Sequence, residues 1–129
     1  MGRVVHFEIH ADDTARAVKF YEDAFSWKIS KWDSPAEYYV VSTGDAKEPG
    51  IDGGIMKRMG PPPAAGQAVN SYICTINVDS LDDSTKKVES LGSKNVVPKM
   101  AVAGIGWLCY CTDSEGNIFG MMQMDPNAK

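Results

Sequence analysis

Three side chains able to take or give a proton, His6, Glu8 and His10, stand at alternate positions around the apolar residues Phe7 and Ile9. This period of two predicts a strand over Val4 to His10 with one face in a core and the imidazole, carboxylate and imidazole on the other. Two chemistries use such groups. In a partly apolar cup, a carboxylate such as Glu8 has its pKa raised and can act as a general base. Alternatively, two of the three side chains could share a divalent metal. All three on one ion would strain the geometry, because the outer members lie roughly 13 Å apart at strand rise. The structural alternatives are a satisfied histidine at position 6, paired with Glu8 or a neighbouring strand, and a structural carboxylate at position 8. Cys109 and Cys111 also fall on one face of a strand, but without a CxxC or a second pair they read as small buried residues.

The elements that must position these groups follow from periodicity. After the first strand, Asp12 or Asp13 offers a helix N-cap, and Ala17, Phe20, Tyr21, Ala24 and Phe25 recur at helical spacing up to a turn at Ser26. Trp27 to Trp32, Glu37 to Thr43 and Gly54 to Arg58 are strand candidates separated by Ser-Pro and Gly-Asp turns. The run Gly60-Pro-Pro-Pro-Ala-Ala-Gly66 reads as a linker, since three prolines supply no ladder donors. Beyond it, Tyr72 to Val78 alternates as a strand. Ser80 begins a second helix with an acidic first turn, in which Leu81, Val88 and Leu91 form the apolar stripe before Gly92 ends it. Asn95 to Val102, Trp107 to Thr112 and Ile118 to Met124 complete the chain as strands, with turns at Ala103-Gly104 and Ser114-Glu115-Gly116-Asn117. The order βαβββ thus occurs twice at an offset of about 66 residues, an internal repeat. The expected fold is α+β: one domain over residues 1–129, with a first module at 4–58, a linker at 59–69 and a second module at 70–125. Its two repeats form a curved mixed sheet around a central cleft.

Composition narrows the function classes. The 129 residues include 43% hydrophobic and 23% charged residues with a net charge of −4, values of a globular chain without the basic footprint that nucleic acid or anionic membranes require. Neither partner is expected. The start, Met1-Gly2-Arg3-Val4-Val5-His6, shows no signal segment, and three cysteines suit reduced thiols, so a cytoplasmic location is expected.

The segment His6-Phe-Glu-Ile-His-Ala-Asp-Asp13, followed by Arg16-Ala17, Phe20-Tyr21 and Ala24-Phe25-Ser26-Trp27, resembles the first strand and helix of the vicinal oxygen chelate superfamily of glyoxalases, bleomycin-resistance proteins and dioxygenases. Val78-Asp79-Ser80 with Leu91-Gly92 resembles its second strand and helix, and Asp113-Ser-Glu-Gly-Asn-Ile-Phe-Gly120 its final hairpin. The likeness spans residues 4–125 and is greatest to glyoxalase-like members of undefined activity. In metal-using members the first and last strands of each half contribute one ligand apiece. By resemblance the four positions here are His6, Gly54, Ile73 (or Tyr72 in the alternative register) and Gly120, so His6 is the one ligand position retained. No cofactor is therefore expected.

Glycines on strands mark places where another backbone or a ligand comes close. Gly54 and Gly120 would open the middle of the cleft, leaving His6, Glu8, Met56, Ile73, Thr75 and Met122 as its lining. The resulting expectation is a small-molecule binding protein without a catalytic metal, with Glu8 and His6 as candidate catalytic residues if it is an enzyme. The alternatives are a metal-dependent lyase of the lactoylglutathione type, a dioxygenase, or a metal-free isomerase or lyase. A homodimer is expected, with aromatics such as Trp32, Tyr38 and Trp107 exposed on the monomer and partly covered by the partner.

Overall fold

The structure, a computed structural model, describes residues 2–64, 67, 72–114 and 117–129. Eight strands and two helices follow the order β1 (Arg3–Ala11), α1 (Thr14–Phe25), β2 (Lys28–Lys31), β3 (Tyr38–Ser42), β4 (Asp52–Lys57), β5 (Ile73–Asn77), α2 (Leu81–Ser90), β6 (Asn95–Val102), β7 (Gly106–Thr112) and β8 (Ile118–Met124). This is the doubled βαβββ unit of an α+β fold. The chain divides into two compact units, His6–Tyr72 and Ile73–Lys129, the latter joined by Met1–Val5. Residues 65, 66, 68 and 69 of the expected linker, residues 70 and 71 at the start of the expected second module, and Glu115 and Gly116 of the expected turn, lie outside the described residues.

In the His6–Tyr72 unit the strands lie in the order β2-β3-β4-β1. The β1–β4 pair is parallel, while β3 is antiparallel to both its neighbours. Alternation in β1 sends Phe7, Ile9 and Ala11 to one face, where they pack with Val41, Ile55 and the α1 residues Ala17, Val18 and Tyr21. Asp13 caps α1 through its side chain, which accepts a hydrogen bond from the Arg16 amide. The helix ends at Ser26, a non-glycine residue in the left-handed region at φ 59°. Tyr21 stacks on Trp27 at 4.9 Å between ring centroids. The expected helix stripe is only half right. Phe20 and Phe25 are each 59% exposed, because the sheet is met by Ala17, Val18 and Tyr21, leaving those two rings on the helix flank.

The second unit repeats the plan with the order β5-β8-β7-β6 and a parallel β5–β8 pair. Its core is Leu81, Cys109, Cys111 and Met121, with Val88, Trp107 and Phe119 packed against it. Ser80 caps α2, accepting from the Asp83 amide. Leu91, expected on the apolar stripe, is the C-terminal cap residue and 73% exposed, the helix closing one residue earlier than its pattern suggests. Asp113 and Asn117 clamp the last hairpin: the Asn117 backbone amide and Nδ2 donate to the Asp113 carboxylate at 2.9 and 3.0 Å.

Trp32, Tyr38 and Trp107 are half-buried rather than exposed. Trp32 meets Tyr38 edge-on, and Trp107 donates to Asp125 at 3.0 Å beneath the Lys99 ammonium. Each aromatic finds its cover within its own unit.

Candidate functional site

The face of the first unit opposite α1 follows from register. Glu8 pairs with Gly54 and His10 with Met56 across β1 and β4, while Gly54 pairs with Val40 and Met56 with Tyr38 across β4 and β3. Since paired residues share a face, His6, Glu8, His10, Tyr38, Val40, Gly54 and Met56 stand together on the side away from the helix. The expected residues His6, Glu8, Gly54 and Met56 are thus brought onto one face.

Gly54 does not open this face. A Cβ at position 54 would collide with the hydroxyl and ring of Tyr38, so the space released by the missing side chain is filled by a phenol from the neighbouring strand. The Tyr38 hydroxyl lies 2.9 Å from His6 Nε2, with the direction of the bond set by the histidine tautomer. Burial lowers the pKa of His6, overriding the opposing pull of Glu8 and Asp52, and so favours the neutral ring. Burial, reinforced by the negative charge of Glu8, raises the pKa of Tyr38 and keeps the phenol protonated. Two neutral groups joined by one hydrogen bond are the consistent state of this pair at neutral pH.

Beside it, Glu8 is buried to 5% exposure, and its Oε1 lies 3.6 Å from His10 Nε2. That separation exceeds hydrogen-bond range, and the His10 Nε2 atom, itself buried, has no hydrogen-bond partner among the described residues. Tyr38 and the full weight of His10 were missed by sequence reasoning about the site. The signal available for Tyr38 was its register opposite Met56 and next to Gly54, which requires the strand pairing to be known. His10 was visible on the stripe of β1.

In the second unit, Thr75 pairs with Gly120, and Met122 with both Asn77 and Leu108. Ile73, Thr75, Gly120 and Met122 therefore share the face opposite α2. A Cβ at 120 would sit 3.0 Å from Thr75 Oγ1 and 3.4 Å from the Tyr110 ring, so Gly120 lies under ordinary neighbours rather than beneath an inserted ring. Both units thus place a glycine of the last strand opposite a buried polar residue of the first, Glu8 in one and Thr75 in the other. Cys109 and Cys111 face α2 and are fully buried. Burial pushes the Cys109 thiol up to about 11.

The paired units define the type of fold. This is a bleomycin-resistance-like, vicinal oxygen chelate fold. Residues 3–44 match the family model described as bleomycin resistance protein-like N-terminal. Among solved structures, a Streptomyces coelicolor methylmalonyl-CoA epimerase in complex with 2-nitronate-propionyl-CoA is 12% identical, with TM-score 0.68 over 98% of this chain and 97% of its own. The methylmalonyl-CoA epimerase of Mycobacterium tuberculosis is 14% identical, with TM-score 0.65 over 95% and 88%. A Legionella pneumophila structure named as an NAD-dependent benzaldehyde dehydrogenase is 11% identical, with TM-score 0.61 over 93% and 98%. Likeness at these identities is likeness of fold, and function must be argued from the site. No curated protein is significantly similar to the chain in sequence.

A divalent metal, the group this fold type implies, can be tested against the donors present. Gly54, Ile73 and Gly120 carry no donor atom in their side chains, and His6 Nε2 is engaged by Tyr38. Among the described residues, no group of three or more His, Cys, Asp or Glu side chains is placed to hold a metal ion. The donor set does not fit such an ion. No helix among the described residues is long and apolar enough to cross a membrane.

Proposed function

We propose that the protein binds a small molecule on the helix-free face of its first unit and does so without a resident metal. The observation that carries this reading is the buried Glu8 carboxylate beside His10, next to the His6–Tyr38 pair, on a face otherwise made of Gly54, Val40 and Met56. A carboxylate and an imidazole set into apolar surroundings cost stability unless partners satisfy them, and such groups concentrate at binding sites. Ile73, Thr75, Gly120 and Met122 are proposed as ligand contacts on the corresponding face of the second unit. The S. coelicolor epimerase of the same fold holds a small molecule, which supports the reading. We also propose a cytoplasmic homodimer.

The test is thermal denaturation across a small-metabolite library, combined with metal analysis of the purified protein. A ligand that binds only the folded state raises the midpoint by mass action. The expected result is at least one stabilising compound whose effect is lost in Glu8→Gln, with metal well below one equivalent. Stoichiometric zinc, nickel or iron that disappears in His6→Ala would overturn the metal-free reading.

One observation favours a second reading, a metal-free isomerase: Glu8 is a buried carboxylate with an imidazole beside it, and two of the solved structures of this fold are named as epimerases. Here the carboxylate would take a proton from one face of a carbon next to a carbonyl and an acid on the other side would deliver a proton to the opposite face, inverting the centre and leaving the overall composition unchanged. Incorporation of deuterium from heavy water into methylmalonyl-CoA, lost in Glu8→Gln, is the outcome this reading requires.

A further inference from the structure

We infer that the Glu8–His10 pair is the recognition point for a hydroxyl group of the ligand, reached when the Tyr38 ring leaves Gly54; the inference rests on the binding reading above. Glu8 Oε1 and His10 Nε2 are 3.6 Å apart, too far to bond each other. One oxygen atom can sit about 2.8 Å from both. The polarity of that atom follows from its two neighbours. A carboxylate accepts only, so the bridging group must donate to Glu8. Facing a carboxylate at this distance, His10 is favoured as the tautomer with a proton on Nε2, so the bridging group must also accept. A hydroxyl does both. A carbonyl or ether oxygen has nothing to donate, and an ammonium has no lone pair to accept with.

Access to the pair lies through Tyr38. Its ring fills the space over Gly54, the register partner of Glu8, and its hydroxyl rests on His6 Nε2. Because position 54 has no side chain, rotation of one tyrosine side chain exposes the floor beside Glu8 without moving the sheet. The site therefore selects for neutral alcohols small enough to enter where the phenol lay.

The experiment uses the whole chain labelled with 15N-histidine and three probes of one shape: cyclohexanol, methoxycyclohexane and cyclohexylamine. Ring-nitrogen shifts of His10 are followed by NMR in the unaltered protein and in Tyr38→Ala. Cyclohexanol is expected to shift the His10 Nε2 resonance saturably and to bind more tightly in Tyr38→Ala. The ether should bind at least about tenfold more weakly, as loss of a hydrogen bond to a charged group implies. In Glu8→Leu the preference for alcohol over ether should vanish. If alcohol and ether bind equally well, the hydroxyl assignment is overturned while the binding face stands. Tighter binding of cyclohexylamine also overturns it, since an ammonium donates to Glu8 but offers His10 Nε2–H no lone pair. If no probe perturbs His10 in either protein, the pair is not a recognition point. In that case a stabilising metabolite lost in Glu8→Gln would still preserve the broader reading.

Discussion

Three of the strand glycines, Gly53, Gly54 and Gly120, meet different obstacles, and that difference ranks their substitutions. At Gly53 a Cβ would run into the Phe7 carbonyl oxygen and ring, and backbone cannot step aside. At Gly54 it would meet the far end of the Tyr38 side chain, which can rotate away at the cost of its bond to His6 and its packing. At Gly120 the nearest atom is Thr75 Oγ1 at 3.0 Å, and a small adjustment suffices. Urea denaturation should therefore place Gly53→Ala as the most destabilised, Gly54→Ala next with a loss of about 1–2 kcal/mol, and Gly120→Ala mildest. Any other order would contradict the packing described. His6 supplies a pH dependence. Its folded pKa is lowered, so the unfolded chain binds the proton more readily, and this contribution to stability is present above the ordinary histidine value of about 6.5 and lost as pH falls from there through the lowered folded value. The denaturation midpoint should fall below that pH, and less so in His6→Phe. The thiols offer a third check. Cys109 and Cys111 are buried and Cys74 is half-buried, so iodoacetamide at pH 8 should label Cys74 alone in the folded protein. The stripe His6, Glu8 and His10 was legible in the sequence because a period of two needs no other strand. Tyr38 was not, because its place follows from which strand lies beside which, and the absence of a side chain at 54 looks the same whether the space is empty or filled.

At the scale of elements, the helix boundaries identify where local chemistry limits stability. Asp13 and Ser80 each satisfy an amide in the first turn of a helix, so Asp13→Ala and Ser80→Ala should each cost about 1 kcal/mol. Ser26 presents the opposite case. Held at φ 59°, it occupies a region that disfavours residues with a Cβ, and Ser26→Gly should raise stability by roughly 0.5–1 kcal/mol. A destabilised Ser26→Gly would show that the serine contributes more than its conformation costs. All ten elements were readable from periodicity, but burial was not. Phe20, Phe25 and Leu91 matched a helical spacing yet lie on helix flanks or ends, because which part of an apolar stripe meets the sheet depends on how the helix is rolled.

For the whole molecule, the dimer expectation rested on open strand edges, and the two terminal strands carry guards against them. The outer strand of the second unit, β6, includes Pro98 and Lys99 and shows register irregularities between Asn95 and Met100, while β2 begins and ends with Lys28 and Lys31. Proline, lysine and bulges all disfavour addition of another strand. Sedimentation at micromolar concentration should give twice the 14.0 kDa chain mass for the proposed dimer, and Lys28→Glu or Lys99→Glu should leave that mass unchanged if side chains rather than edges make the contact. A species of 14.0 kDa throughout would reject it. The parallel pairing of first with last strand in each βαβββ unit also bears on synthesis. Strand β1 finds its partner only when Asp52–Lys57 has left the ribosome, and β5 only when Ile118–Met124 has. Until then Phe7 and Ile9, and later Ile73 and Ile76, remain on nascent strands that cannot be completed locally. Those two segments are the places where a chaperone would engage the growing chain and where slowed translation would expose it longest.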